Sequence, residues 1–240
     1  MRFAAKTDIG LIRKQNQDRY LMKPDQGLFV VCDGMGGHKA GEIAAQMAVD
    51  AIAEAFSTAV DTLKAKDSLV SAIAEANRRI YLESISNDEH AGMGTTIIAA
   101  HLDGFTLQVA SIGDSSLFIV RADAIEKVTE DHTLTEKLYR EGLLDANERN
   151  THRFRHVLTR ALGTEETVEP DVRQRALEPG DTVVISTDGL TDMVEPAEIK
   201  DLIVESQDIE KALDQLLQLA LDRGGHDNVT MIMIRVERED

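Results

Sequence analysis

Four aspartates in this chain share one context. Asp33, Asp114, Asp188 and Asp227 each lie where an apolar run meets a glycine-containing loop. Asp33 ends the run Leu28 to Cys32 and precedes Gly34, and Asp188 follows Thr182 to Ser186 and precedes Gly189. Asp114 adjoins Gly113, and Asp227 follows closely on Gly225. One such aspartate is most simply a turn or cap residue. Four in matching contexts predict carboxylates gathered from strand ends at one edge of a sheet, where without cations they would repel one another. A carboxylate at the mouth of a buried strand also costs free energy unless its charge is compensated, and the glycines let backbone carbonyls come close. Oxygen ligands, with no His or Cys cluster of zinc spacing, select Mg²⁺ or Mn²⁺ over Zn²⁺. Two such ions about 3.5–4 Å apart suit an in-line displacement at phosphorus by water. That chemistry needs a further cation to grip phosphate, and the planar fork of arginine is suited to it. Spacing alone does not choose among the arginines.

The elements that must position these residues are legible in outline. Glu42–Phe56 and Asp67–Ser84 carry apolar residues at helical spacing, the second through Leu69, Ile73, Ala76, Ile80 and Tyr81. The link 57–66 between them reads as a loop or frayed helix end. Thr95–His101, Thr106–Ser111, Leu117–Arg121, Thr182–Ser186 and Val229–Val236 read as strands, and Asp103-Gly104 marks a hairpin. Short apolar stretches at Phe3–Ala5 and Tyr20–Met22 predict a strand pair with a polar crossing between. Thr133–Glu141, Glu195–Val204 and Asp208–Arg223 read as helices. Hairpins outnumber regular βαβ alternation, so the fold expected is antiparallel sheets flanked by helices, in one domain. The segment Asn147–Arg160 is the most basic of the chain, with Arg149, Arg153, Arg155, Arg160, His152 and His156. It is either a set of surface ion pairs or a docking face for an anionic partner.

Composition narrows the function class. The chain has 240 residues, 42% of them hydrophobic but only 4% aromatic with no Trp, so the core must be aliphatic. Against 26 Lys and Arg stand 43 Asp and Glu, a net charge of -17. Long-range attraction to nucleic acid or anionic membrane would have the wrong sign. The single cysteine, Cys32, sits in the apolar run and predicts a reduced thiol in the core. No apolar segment has the length of a signal peptide or a membrane span, so a cytoplasmic location is expected.

Read in order, these motifs resemble those of the bacterial metal-dependent serine/threonine protein phosphatases of the PPM (protein phosphatase 2C) family. Thr7-Asp8-Ile9-Gly10 through Asp18 resembles the opening motif, and Val31–Gly37 the Asp-Gly-Met-Gly-Gly motif. Gly94-Thr95-Thr96, Gly113-Asp114-Ser115 and Asp131-His132 match intermediate motifs. Val157–Gly163 follows the family's flap, within a flap segment spanning 142–163, and Gly180-Asp181, Asp188-Gly189-Leu190 and Asp227–Thr230 match the closing motifs. The resemblance implies an α+β fold, a four-layer αββα sandwich with two central antiparallel sheets and a binuclear Mn²⁺ or Mg²⁺ centre at one end. By position, Asp33 bridges both ions, the Gly34 carbonyl ligates the first, and Asp188 and Asp227 ligate the second. Bacterial members often bind a third ion, whose ligands match Asp114 and Asp188. Arg13 matches the phosphate clamp, and Asp18 a carboxylate behind the ligands that orients the attacking water.

The activity so implied is hydrolysis of phosphoserine and phosphothreonine in proteins by in-line attack of a metal-activated water, with no covalent phosphoenzyme. The expected partners are phosphorylated protein substrates and a cognate serine/threonine kinase, and the expected state is a monomer. Three positions depart from the pattern. Gln17 stands where the family usually has Glu, Met35 where eukaryotic relatives place a His proposed as general acid, and Ser116 where an Arg is frequent. Two rival readings are a silent phosphoprotein-binding module, which would need broken ligands, and a nucleotide or small-phosphoester hydrolase, which would want aromatic lining that this chain lacks.

Overall fold

In the computed structural model, residues 1–36, 40–59, 65–206 and 208–237 are described. Gly37 and His38, and the centre of the link 57–66, therefore lie outside the described residues. The strands are β1 (Arg2–Asp8), β2 (Arg19–Lys23), β3 (Leu28–Cys32), β4 (Gly34–Met35), β5 (Gly94–Thr95) and β6 (Ile97–Asp103). They continue with β7 (Thr106–Ile112), β8 (Ser116–Arg121), β9 (Ala124–Lys127), β10 (Asp171–Ala176), β11 (Thr182–Ser186) and β12 (Val229–Arg235). The helices are α1 (Ala40–Ala59), α2 (Ala65–Ser86), α3 (Leu134–Arg140), α4 (Ala146–Thr151), α5 (Asp188–Thr191), α6 (Pro196–Glu205) and α7 (Ile209–Asp222).

Two five-stranded sheets, β1-β12-β11-β8-β9 and β10-β7-β6-β3-β2, form the centre, and every pairing is antiparallel. Period-two side-chain alternation explains the layering. All five residues of β3 are buried because both of its faces are covered. Leu28, Val30 and Cys32 pack with Ala48, Ile52, Ile73 and Ile80 of α1 and α2, while Phe29 and Val31 point into the seam between the sheets. On the other sheet, Val183, Ile185, Ile232 and Ile234 enter the same seam. Val184, Met231 and Met233 turn outward under Ile199, Leu213 and Leu216 of α6 and α7. The result is the four-layer αββα sandwich. No helix among the described residues is long and apolar enough to cross a membrane.

The structure corrects two local expectations. β1 and β2 are not partners: β1 pairs with β12 and β2 with β3, in different sheets. The polar stretch between them crosses from one sheet to the other over the end of the sandwich. The β6–β7 hairpin also closes one residue later than the Asp-Gly signal suggests. Asp103 pairs with Thr106, and Gly104, at φ 56°, begins the turn. A positive φ there is what glycine supplies at the first position of a tight hairpin turn.

Register carries the aspartates to one end. Ser186 pairs with both Ser116 and Met231, so Asp188, just past β11, lies beside Asp114, just before β8, and Asp227, just before β12. β1 ends at the same edge, with Asp8 opposite Val229. In the second sheet Val31 faces Ile98, and Ile97 faces Ile112, which brings Asp33 to that end too.

Candidate active site

A cleft of about 620 Å³ opens at this end, and Arg13, Asp33, Gly34, Asp114, Asp188 and Asp227 all line it. Asp18 sits behind them, 3% exposed. Its Oδ2 accepts a hydrogen bond from the Thr187 hydroxyl at 3.0 Å. The backbone of Asp33 is fixed by two neighbours. Its N–H donates to Thr96 Oγ1 at 3.0 Å, and its carbonyl accepts from Thr95 Oγ1 at 2.8 Å and from the Thr96 N–H at 2.9 Å. Gly34 is packed so tightly on the start of α1 that a Cβ placed on Gly41 would lie 2.6 Å from its carbonyl oxygen. Only glycine fits such an approach.

The loop carrying Arg13 is fastened from below by Asn228. Its Oδ1 accepts from the Gln17 N–H at 2.8 Å, and its Nδ2 donates to the carbonyls of Ile9 and Gln15 at 2.9 and 3.0 Å. Arg13 extends over the cleft and donates to Asp227 Oδ2 at 2.5 Å. On the other side, the Gly113–Asp114 turn is held by His132. The His132 N–H donates to the Gly113 carbonyl at 2.9 Å, and Nδ1 accepts from the Gly113 N–H at 3.2 Å. The His132 carbonyl in turn accepts from the Thr159 N–H at 2.7 Å, which ties this turn to segment 157–160.

The electrostatics are those of a cation site. Burial first, then the charges of Asp18, Asp188, Asp114 and Asp227, hold the Asp33 carboxyl well above the ordinary range. Burial, with Asp114, Asp192, Asp227 and Asp18, does the same for Asp188. Burial and the Asp131 charge push Asp114 up to about 7. Burial pushes Asp18 up to about 6 against the hydrogen bonds from Thr230 and Thr187. Asp18 Oδ1 and Asp188 Oδ1 are buried with no hydrogen-bond partner among the described residues. Buried acceptors left unpaired are costly, and carboxylates crowded together ionise readily only when cations compensate them. The donor set is carboxylate and carbonyl oxygen, which fits hard divalent ions.

One cleft residue, Asp192, escaped the sequence reading, and His156 was read only as part of the basic segment. Asp192, at the end of α5, brings a carboxylate oxygen within 3.5 Å of His156 Nδ1, which also lies 4.0 Å from Asp188. Ligand atoms of these three residues fall within 4.8 Å of one another. The available signal was the four-residue spacing of Asp188 and Asp192, which one helical turn places on one face. The basic segment divides between its two readings. Arg149 pairs with Glu136 at 2.9 Å, Arg160 with Asp171 at 3.0 Å, and Arg153 lies over the Phe154 ring. Arg155 and His156 face the cleft. Gln17 and Met35 line it as well, whereas Ser116 is buried in β8.

This arrangement has relatives. The family model for protein phosphatase 2C matches residues 2–229. The chain belongs to the protein phosphatase 2C family. A serine/threonine phosphatase stp of Listeria innocua is 34% identical over 235 residues, covering 95% of this chain and 93% of the relative. The crystal structure of the serine/threonine phosphatase Stp1 from Staphylococcus aureus superposes with a TM-score of 0.93 at 36% identity, covering 98% of this chain and 95% of that one. A structure of the catalytic domain of the serine threonine protein phosphatase PstP in complex with 2 manganese ions superposes at 0.88 with 31% identity, covering 99% and 98%.

Proposed function

We propose that the cleft hydrolyses phosphoserine and phosphothreonine esters of proteins, making this protein phosphatase 2C a metal-dependent serine/threonine phosphatase that opposes a cognate kinase. The observation that carries the reading is the convergence of Asp33, Asp114, Asp188 and Asp227 on one cleft beside Arg13. Asp33, Asp188, Asp227 and the Gly34 carbonyl would hold two Mn²⁺ or Mg²⁺ ions, with Asp114 and Asp188 at a third. Bound there, such ions supply Lewis-acid charge and an activated water for in-line displacement at phosphorus.

The chain's own groups do the rest. A guanidinium has five N–H donors, so Arg13 can keep its bond to Asp227 and still offer parallel donors to phosphate oxygens. Asp18, anchored by Thr187, orients the attacking water from behind Asp33. Thr95 and Thr96 fix the Asp33 backbone, so its carboxylate is presented to the cleft in a set position. The absence of an aromatic-lined pocket around the cleft disfavours a nucleotide substrate, since Met35, Leu158 and Met193 supply its apolar lining among the described residues. A cytoplasmic monomer is supported by the acidic surface and by a single buried thiol, Cys32.

The decisive experiment compares wild type with Asp33→Asn on a phosphothreonine peptide, with Mn²⁺ and with EDTA. Turnover only for wild type with Mn²⁺ is the expected result. Near-normal turnover by Asp33→Asn would overturn the assignment.

A further inference from the structure

We propose that Asn77, buried on α2 and outside the cleft, is a positioning residue that sets how tightly an ion is held at Asp33 and Gly34, a role that rests on the metal site proposed above. It acts through a short run of backbone, from segment 163–166 to Leu162, and from there to Thr95 and the two ligands.

Asn77 is 1% exposed, and its whole side-chain amide is spent on one distant segment. Oδ1 accepts from the Gly163 N–H at 2.8 Å, and Nδ2 donates to the carbonyls of Glu165 and Glu166 at 3.1 and 3.0 Å. A carboxamide has one acceptor oxygen and two N–H donors, so one N–H and two carbonyls match it group for group. The same helix meets Gly163 twice more. Ser84 Oγ donates to its carbonyl at 3.4 Å, and at φ 83° a Cβ on Gly163 would lie 2.2 Å from Ile80 Cγ2. Removing the Asn77 amide would strand a buried N–H and two carbonyls, which could recover partners only if the segment moved.

Leu162, fully buried, carries the constraint to the site. Its N–H donates to the Thr95 carbonyl at 2.9 Å, and its carbonyl accepts from the Thr95 N–H at 3.1 Å. On its other side Thr95 pairs with Gly34, and its hydroxyl donates to the Asp33 carbonyl at 2.8 Å. β4 and β5 are two residues each, a ribbon too short to hold its own register in isolation. Leu162 supplies the outer rung, and Asn77 fixes Leu162 from behind. The two residues that would hold the ion, one by carboxylate and one by carbonyl, thus share a support that ends on α2. Loss of groups that support ligands typically weakens metal binding about 10–100-fold, and Asn77, acting through Leu162 and Thr95, belongs at the lower end.

The test is calorimetric titration with Mn²⁺ at a temperature where every variant is folded. Asn77→Ala is expected to weaken Mn²⁺ binding about tenfold, about 1.4 kcal/mol. Leu213→Ala, a truncation under α7 on the outer face of the other sheet, should lower the Tm but keep the wild-type Mn²⁺ affinity, which separates positioning from general loss of stability. Thr95→Val removes a hydroxyl on the same path, so combining it with Asn77→Ala should cost less than the product of the two separate fold-changes. Should Asn77→Ala fail to fold, wild type decides. Coupling between sites is reciprocal, so Mn²⁺ should slow amide exchange at Leu162 and Gly163 more than in α7. Unchanged Mn²⁺ affinity in Asn77→Ala, a full product in the double variant, or slowing at Gly163 no greater than in α7 would each overturn the inference. If wild type takes up no Mn²⁺ at all, the proposed metal site falls and this role with it.

Discussion

At the scale of single residues, Arg13 holds two relationships that kinetics can separate. It donates to Asp227 at 2.5 Å and faces the cleft where phosphate would sit. If its main work is to hold phosphate in both ground and transition states, Arg13→Ala raises KM for a phosphopeptide about tenfold or more with a smaller change in kcat. An effect confined to kcat would contradict the clamp role. Asp227→Asn is expected to abolish turnover with Mn²⁺ present and also to weaken Mn²⁺ binding in calorimetry. That second readout keeps the metal assignment testable apart from catalysis. Arg13 itself could not be picked from spacing, since nothing in the order of residues says which arginine hangs over a cleft; only the motif around it did so. The aspartates were legible because each one lies where an apolar strand meets a glycine-containing loop. Asp192 was not, because the short helix α5 that it follows has no apolar period of its own.

At the scale of elements, Asn228 converts the start of β12 into a fastening for the loop between β1 and β2. Asn228→Ala removes three hydrogen bonds, each worth about 1 kcal/mol net, from a residue that is 4% exposed. The expected outcome is a loss of roughly 2–3 kcal/mol in urea unfolding together with a raised KM, because Arg13 loses its platform. Restored KM without restored stability in an Asn228→Asp variant would show that only the Gln17 bond matters for substrate. Elements with both faces covered, β3 and β11 above all, could be read from their unbroken apolar runs. β9 and β10 could not. They are the outer strands of their sheets, and Ala-Ile-Glu-Lys and Asp-Val-Arg-Gln-Arg-Ala show solvent more than core. The pairing of β1 was hidden for another reason. Its partner β12 lies at the other end of the sequence, and no local turn signal announces a pairing between them.

At the scale of the whole molecule, the crowded carboxylates couple folding to pH and to cations. Burial raises Asp114 to about 7 and Asp18 to about 6 in the folded state, against about 3.9 when unfolded. Between those values the folded chain holds more protons than the unfolded one, so stability falls as pH rises through this window. Without added cations the protein should therefore melt at a lower temperature at pH 7.5 than at pH 5. Mn²⁺ held by these carboxylates, as proposed, would bind their ionised form, so its stabilising shift in Tm should be larger at pH 7.5, and EDTA should reverse it. Asp114→Asn should raise the Tm measured in EDTA at pH 7.5. A Tm in EDTA that climbs from pH 5 to pH 7.5 would contradict the burial of these groups.

The origin of the aspartates has one more implication. Asp33 leaves the second sheet, Asp188 and Asp227 leave the first, and Asp114 lies on the crossing from one to the other. An ion shared among them would be a removable rivet through the open end of the sandwich, opposing any sliding of one sheet across the other. Chelation would then loosen the molecule selectively, and amide exchange should quicken first in β7, β8 and β11 near that end. The dry aliphatic seam around Phe29, Ile98 and Ile232 should hold. Catalytic competence and mechanical tightness would thus be switched by one and the same reagent.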